Sequence, residues 1–448
     1  MANIFGQIWQ MEDLRKRVLF TLGLLGVYRM GIFVPTPGID RTQLKQWLDQ
    51  QQSGMLGLYN MFTGGAFEQF SIFTLGIMPY ISSSIIMQLL TQMVPQLERI
   101  QKEGQQGKNR ITQYTRYLTI VIAVFQGLSM AFLVEQMRLG SSTIVIEPGW
   151  PFRIMTILTV TAGSCFVMWL GEQISERGIG NGSSIIIATG ILANVPRQGF
   201  NLARLVQGGE MTLLAATLLL AGMFVVISSI VFMERGQRRI PIQYAKRVLG
   251  RRVYEGQTAH LPLKINNAGV VPPIFASTLI MGVQFLIGKT GNNAVSGWLT
   301  NALHQGYWLY NLVFAGMIVF FSFFYTAVTF NPVDVAENLK KQGGYIPRIR
   351  PGSETAEYIN RLLQRLTTAG SVYLAALCIM PPVLSAAAKT PFQFGGTGLL
   401  ILVGVSLDTV AQIEAHLMTR HYDGLVGPKG GKIKGRRRLM TAGGGAEL

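Results

Sequence analysis

The chain has 448 residues, of which 49% are hydrophobic and only 14% charged, yet it carries a formal net charge of +17. Its apolar content, with a mean hydropathy of +0.33, exceeds what a soluble core of this size needs to bury. That excludes an ordinary globular domain and points to a chain that crosses a bilayer many times. The two cysteines, Cys165 and Cys378, both lie inside apolar runs, so no disulfide framework is implied and they read as packing residues.

An apolar helix needs roughly 20 residues to cross a bilayer. Ten runs approach that length, at 18–34, 75–94, 117–137, 152–171, 183–200, 211–233, 269–288, 306–330, 367–388 and 394–416. The first follows Arg15-Lys16-Arg17 like the start of a signal peptide. No small-x-small cleavage site comes after it, and Pro35-Thr36-Pro37-Gly38 breaks the helix, which predicts a retained span.

Next comes FTGGAFEQFSIFTLGIMPYISSSIIMQLL, residues 62–90, which begins like a surface loop and ends like a membrane span, joined through Gly76 and Pro79. Glycine-rich, partly polar backbone at membrane depth is tolerated only against protein or a water-filled cavity. GIGNG at 178–182 looks like a nucleotide loop, but no strand precedes it and it joins two spans, so it reads as a tight turn.

Two connections are longer than helix joining requires. In 234–268, RRIPIQYA and HLPLKIN flank KRVLGRRVYEG, which predicts a hairpin with a basic tip near Gly250 to Arg252. In 331–366, Pro347, Pro351 and Gly352 break the chain around RIR, and Ser353 before Glu354 reads as the N-cap of a helix leading into the ninth span.

Ten spans place both termini on one side. Of the 39 lysines and arginines, 30 fall in the connections on that side and 6 in the opposite connections, with Arg29, Arg153 and Arg197 inside spans. The N-terminal side is therefore expected to be cytoplasmic. Five spans, a large basic loop and five more spans also suggest two halves of opposite orientation.

The spans lack what pumps and ion-coupled transporters carry at mid-membrane. Asp408 and Glu414 lie toward the cytoplasmic end of the last span and Arg29 toward the far end of the first, where snorkelling or pairing is expected. His260, His304, His416 and His421 form no HExxH, and no Walker-type loop is present. No catalytic residue, metal or cofactor is expected. A secondary transporter of a small solute is the competing class, but it would need a ligand-lined site where this chain offers apolar walls; an intramembrane hydrolase would need a nucleophile and base.

Eight motifs then occur in order: YRMGIFVPTPGID, GIMPYISSSIIMQLL, ITQYTRY, WLGEQISERGIGNG, ERGQRRI with YAKR and GRRVY, HLPLKINNAGVVPPIFAS, FFYTAVTFNPVDVAENLKKQGGYIPRIRPG and PFQFGGTGLLI. Through them the chain resembles, over essentially its whole length, the SecY family, the central subunits of the bacterial protein-translocation channel. The resemblance implies an all-α polytopic membrane protein with ten transmembrane helices in two inverted five-helix halves around an hourglass pore. It divides the chain into a cytoplasmic segment 1–17, a first half 18–200, the sixth span with its hairpin loop 201–268, spans seven to ten 269–416, and a basic tail 417–448.

The same resemblance implies a plug at about 57–74, including Gly64, Gly65, Phe67 and Phe70. It implies a pore ring of Ile77, Ile81, Ser183, Ile187, Ile274 and Ile401, with Ser183 departing from the family's usual apolar residue. A lateral gate is expected between the second and third spans and the seventh and eighth, with Ser82, Gln126 and Gln284 as polar contacts. Arg251, Arg252 and Arg350 match docking positions for a ribosome or the SecA motor ATPase. The implied partners are the SecE and SecG membrane subunits, SecA, the translating ribosome, signal sequences with unfolded secretory chains, and membrane lipids. The implied location is the bacterial plasma membrane. The tail GPKGGKIKGRRRL could touch ribosomal RNA or anionic lipid.

Overall fold

The structure is a computed structural model that describes residues 11–50, 55–139, 142–209, 211–244, 247–249, 252–254, 258–289, 308–388 and 396–426. Arg251 and the tail beyond 426 lie outside these residues.

Ten long helices match the ten apolar runs. They are α1 (Glu12–Gly31), α4 (Met78–Met93), α6 (Gln105–Gln136), α7 (Trp150–Arg177), α8 (Gly182–Gln207), α9 (Leu213–Arg235), α10 (Val271–Lys289), α11 (Trp308–Thr329), α13 (Ser353–Ala388) and α14 (Gly396–Val426). Among the described residues four short helices lie between them: α2 (Arg41–Gln50), α3 (Met55–Phe62), α5 (Pro95–Lys102) and α12 (Pro332–Lys341). Among the described residues α6, α7, α9, α11, α13 and α14 are long and apolar enough to cross a membrane. Of the other four, α4 has only 16 residues, because the run expected from position 75 begins as turns and becomes helical at Met78. Pro79 then occupies the first turn, where its missing N–H costs little. The ninth run extends back to Ser353, and its start is fixed one residue earlier than expected, at Gly352, whose carbonyl accepts from Ala356 N at 3.1 Å.

Five of the neighbour relations among the first five helices recur in the second five. α4 packs on α6, α6 on α7, α7 on α8, α4 on α7 and α1 on α8; correspondingly α10 packs on α11, α11 on α13, α13 on α14, α10 on α13 and α9 on α14. The two sets meet where α8 packs against α14 and α9. One buried cluster crosses that seam, with Tyr28, Val167 and Ile187 from one half and Ile274 and Ile401 from the other. Large side chains on the outer faces, such as Leu218, Phe224 and Phe232 of α9, are exposed, as suits helices bathed in lipid tails.

On the N-terminal side the long connection forms β3 (Gln237–Tyr244) and β6 (Thr258–Lys264), antiparallel with Ile240 opposite Leu261. Beyond them β4 (Arg247–Leu249) pairs with β5 (Arg252–Tyr254), Leu249 opposite Arg252, which is the expected hairpin. A strand that no local pattern announced, β7 (Gly344–Tyr345), adds to β3 and joins the two long connections into one three-stranded sheet. Ile240, Ile242, Leu263, Leu339, Ile346 and Ile359 bury the sheet against α12 and α13. On the opposite side, β1 (Arg138–Leu139) pairs with β2 (Ser142–Thr143).

Candidate functional site

The GIGNG segment is a turn that ties four helices together. Ile179 N donates to Thr21 Oγ1 of α1 at 3.2 Å, and Gly180 N donates to Gln412 Oε1 of α14 at 2.9 Å. Gly180 holds φ +83°, and a Cβ at Gly182 would run into the Gly171 carbonyl of α7, so both positions need glycine. Asn181 caps α8, accepting from Ser183 N at 3.1 Å and Ser184 N at 3.4 Å.

This turn sits at the mouth of a cavity of about 280 Å³ between α4, α7, α8, α10, α11 and α14. Tyr80, Ser84, Gln88, Ser175, Asn181 and Ser184 give it polar walls. Ile81, Ile187, Ile274 and Ile401 also line it, two from each half, and the last three are 3%, 6% and 2% exposed. Branched aliphatics offer no ligand to replace an ion's water, and their stiff χ1 torsions give the constriction a defined width.

The six expected ring residues do not all stand alike. Ile77 belongs to the same buried cluster but lies against α7, where a Cβ on Gly171 would stand 3.1 Å from its Cδ1. Ser183 lines the cavity one turn nearer its mouth than Ile187, and its hydroxyl donates to Asn181 Oδ1 at 2.7 Å. That proton is engaged with the cap, so Ser183 offers the cavity less polarity than its side chain suggests.

On the side away from the sheet, α3 and the turns at 63–77 close over the cluster. Only α3 is helical here; Gly64, Gly65, Phe67 and Phe70 all fall in the turns that follow it. Gly64 has φ +68° and lies so close to α8 that a Cβ would stand 2.8 Å from Gly190 Cα. Phe67 and Phe70 are fully buried, packing with Leu44 and Leu48 of α2 and with Tyr59 rather than against the isoleucines.

Polar bonds fasten this segment. Arg29 Nη1 donates to Gly64 O at 2.9 Å, and the Tyr28 hydroxyl donates to Thr63 O at 3.2 Å. Thr36 N donates to Phe70 O at 2.9 Å, and Ile72 N to Val34 O at 3.0 Å. Arg197 of α8 pairs with Glu68. Sequence reasoning treated Arg29 as a snorkelling or pairing residue and passed over Glu68 and Arg197; the glycine run beside an arginine-tipped first span was the available signal.

A second cleft, about 590 Å³ and mostly apolar, opens between α4 and α6 on one side and α10 on the other. Ser82 lines it, as do Ser129 and Thr278, which the sequence reading missed. Gln126 is half-buried on α6, three residues before Ser129. Gln284 belongs to α10, but its side chain lies outside the described residues.

On the sheet side, Arg350 is exposed at the end of a turn in which Arg348 has φ +68°. Thr355 Oγ1 donates to Arg350 O at 2.8 Å, while Ile346 and Ile349 anchor the turn in the sheet's core. The arginines thus project from a fastened loop. Arg252 is in β5, and its side chain lies outside the described residues. Nearby, Lys102 Nζ stands 2.6 Å from Glu98 Oε1, and this hydrogen bond holds the Glu98 carboxyl below the usual carboxylate range.

Two repeated helical halves closing on an aliphatic waist, with a covering segment on one side and a basic sheet on the other, define a polytopic membrane protein of channel type. The SecY family pattern matches residues 71–410, and the chain belongs to the SecY family. It is 46% identical over 429 residues to the protein translocase subunit SecY of Escherichia coli (strain K12), covering 95% of this chain and 96% of that one. Against its Streptomyces coelicolor counterpart it is 43% identical over 443 residues, covering 95% and 100%. A solved protein-conducting channel superposes with TM-score 0.65 at 18% identity, covering 92% of this chain and 95% of the other. Sec61 from the canine ribosome-channel complex of the endoplasmic reticulum gives 0.62 at 17%, with the same coverage.

Proposed function

We propose that this chain is the central pore-forming subunit of a protein-conducting channel, carrying unfolded secretory polypeptides across the plasma membrane and releasing apolar segments sideways into the bilayer. The observation that carries the proposal is the convergence of Ile81, Ile187, Ile274 and Ile401, from both halves, beneath a seated covering segment. Such a waist deforms around a passing chain and closes again because its contacts are apolar and non-directional. Driving force is external: the chain acts as a channel subunit, with SecA or a translating ribosome as the source of movement and SecE and SecG as membrane partners.

The positive-inside bias supports cytoplasmic termini, which puts the sheet and Arg350 on the side of the motor and ribosome. Guanidinium groups suit both the acidic surface of a motor and ribosomal RNA, since they stay charged and bind oxygens in pairs. The segment at about 57–74 acts as the plug, and the cleft lined by Ser82 and Ser129 as the lateral exit. The test is reconstitution: the complex in proteoliposomes should move an unfolded precursor inward with SecA and ATP, and should take up no small solute against a gradient. Arg350→Glu should cut that import at least about tenfold, as a reversed charge at a docking contact costs several kcal/mol. Normal import would defeat the docking role; solute uptake without precursor import would favour a transporter.

A further inference from the structure

We infer that Glu68 and Arg197 form an ion-pair latch that registers the covering segment on α8 and sets the threshold for displacing it; the inference rests on reading that segment as the plug. Between residues 60 and 77, Glu68 is the only ionisable side chain. It is met from α8 by a guanidinium in the paired geometry that fixes direction as well as distance, Nη1 to Oε2 at 2.5 Å and Nη2 to Oε1 at 3.0 Å. The Glu68 side chain is 12% exposed, against 49% for Arg197. Separating the pair would therefore leave a shielded carboxylate short of solvation, unlike separation of a surface pair.

The carboxylate is also held from its own side. Asn60 Oδ1 accepts from Glu68 N at 3.0 Å, and Asn60 Nδ2 donates to Glu68 Oε2 at 3.5 Å. Asn60 belongs to α3, so the pair links the short helix, the turn after it and α8 in one chain of bonds. The close approach of Gly64 to Gly190 brings the backbone near enough to α8 for this reach. The segment's other fastenings described above are hydrogen bonds to backbone carbonyls and apolar contact, whereas this one joins two opposite charges through two parallel hydrogen bonds. Losing either partner removes both bonds at once, so the latch should act as an all-or-none element.

The test uses the assembled channel complex in planar bilayers and reads the resting open probability. Glu68→Arg and Arg197→Glu should each raise it about five- to tenfold, and the double reversal should return it to within about twofold of the parent. Single reversals that leave it unchanged, or a double reversal as leaky as the singles, would overturn the latch. If a reversal fails to assemble, Glu68→Gln and Arg197→Gln replace it. Each should then give about a two- to fivefold rise and the pair together no more than either alone, while additive effects would overturn the latch. SecA-driven precursor import by the parent complex separates the two readings. Import without a variant effect sinks only the latch, whereas absence of import sinks the channel reading itself.

Discussion

In the proposed channel, the waist and the covering segment close the same passage by different physics. At the waist, Ile81, Ile187, Ile274 and Ile401 meet through contacts that have no preferred direction. In the segment beyond it, Arg29, Tyr28 and Arg197 hold backbone carbonyls and a carboxylate at fixed distances, and Gly64 lies against Gly190 where no side chain fits. A barrier that must yield to chains of any sequence is built from dispersion and hydrophobic contact. A barrier that must leave as a unit and return to one place is built from hydrogen bonds and a close backbone approach. Which of the two dominates the resting seal can be read from variants that damage one and spare the other.

The largest effect is expected from Gly64→Val. A β-branched residue at φ +68° is strained, and its Cβ would collide with α8, so the segment should fail to seat and resting conductance should rise at least about tenfold. Next, Ile81→Asn places an amide in the waist while leaving the segment's fastenings intact; a rise of roughly fivefold is expected, because a polar side chain lowers the barrier to hydrated ions. Tyr28→Phe removes one hydrogen bond to Thr63 O, worth about 1 kcal/mol, and should raise conductance about two- to fivefold. Ser183→Ile should change it less than about twofold, since the hydroxyl it removes is already engaged by Asn181 in the cap. Single-channel recording of the four variants ranks them directly. A Ser183→Ile effect larger than that of Tyr28→Phe would reverse the order and place the serine hydroxyl in the lumen.

The same contrast governs how much could be read from the sequence. The ten helices were legible because long apolar runs interrupted by Gly and Pro report bilayer crossing without knowledge of neighbours. The hairpin of β3 to β6 was legible too, from short extended runs around GRR. The addition of β7 to β3 was not, because Gly344 and Tyr345, far along the chain from their partners Tyr244 and Gln243, carry no local pattern that announces a strand partner. Apolar residues can be gathered into a waist through a family resemblance. The clasp of Arg29, Glu68 and Arg197 needs spatial knowledge, since each charge alone reads as a residue near a membrane boundary. Ser183 lies between these cases: its departure from an apolar ring was visible, whereas its engagement by Asn181 needed the helix start fixed at Gly182.

The most direct test is photocrosslinking from the waist. A probe at position 81 or 274 in the assembled complex, challenged with a secretory precursor stalled midway, should yield adducts to the precursor, and a probe at the lipid-facing position 224 should yield few. Equal labelling from all three positions, or none from 81 and 274 while import proceeds, would contradict passage of the polypeptide through the aliphatic waist.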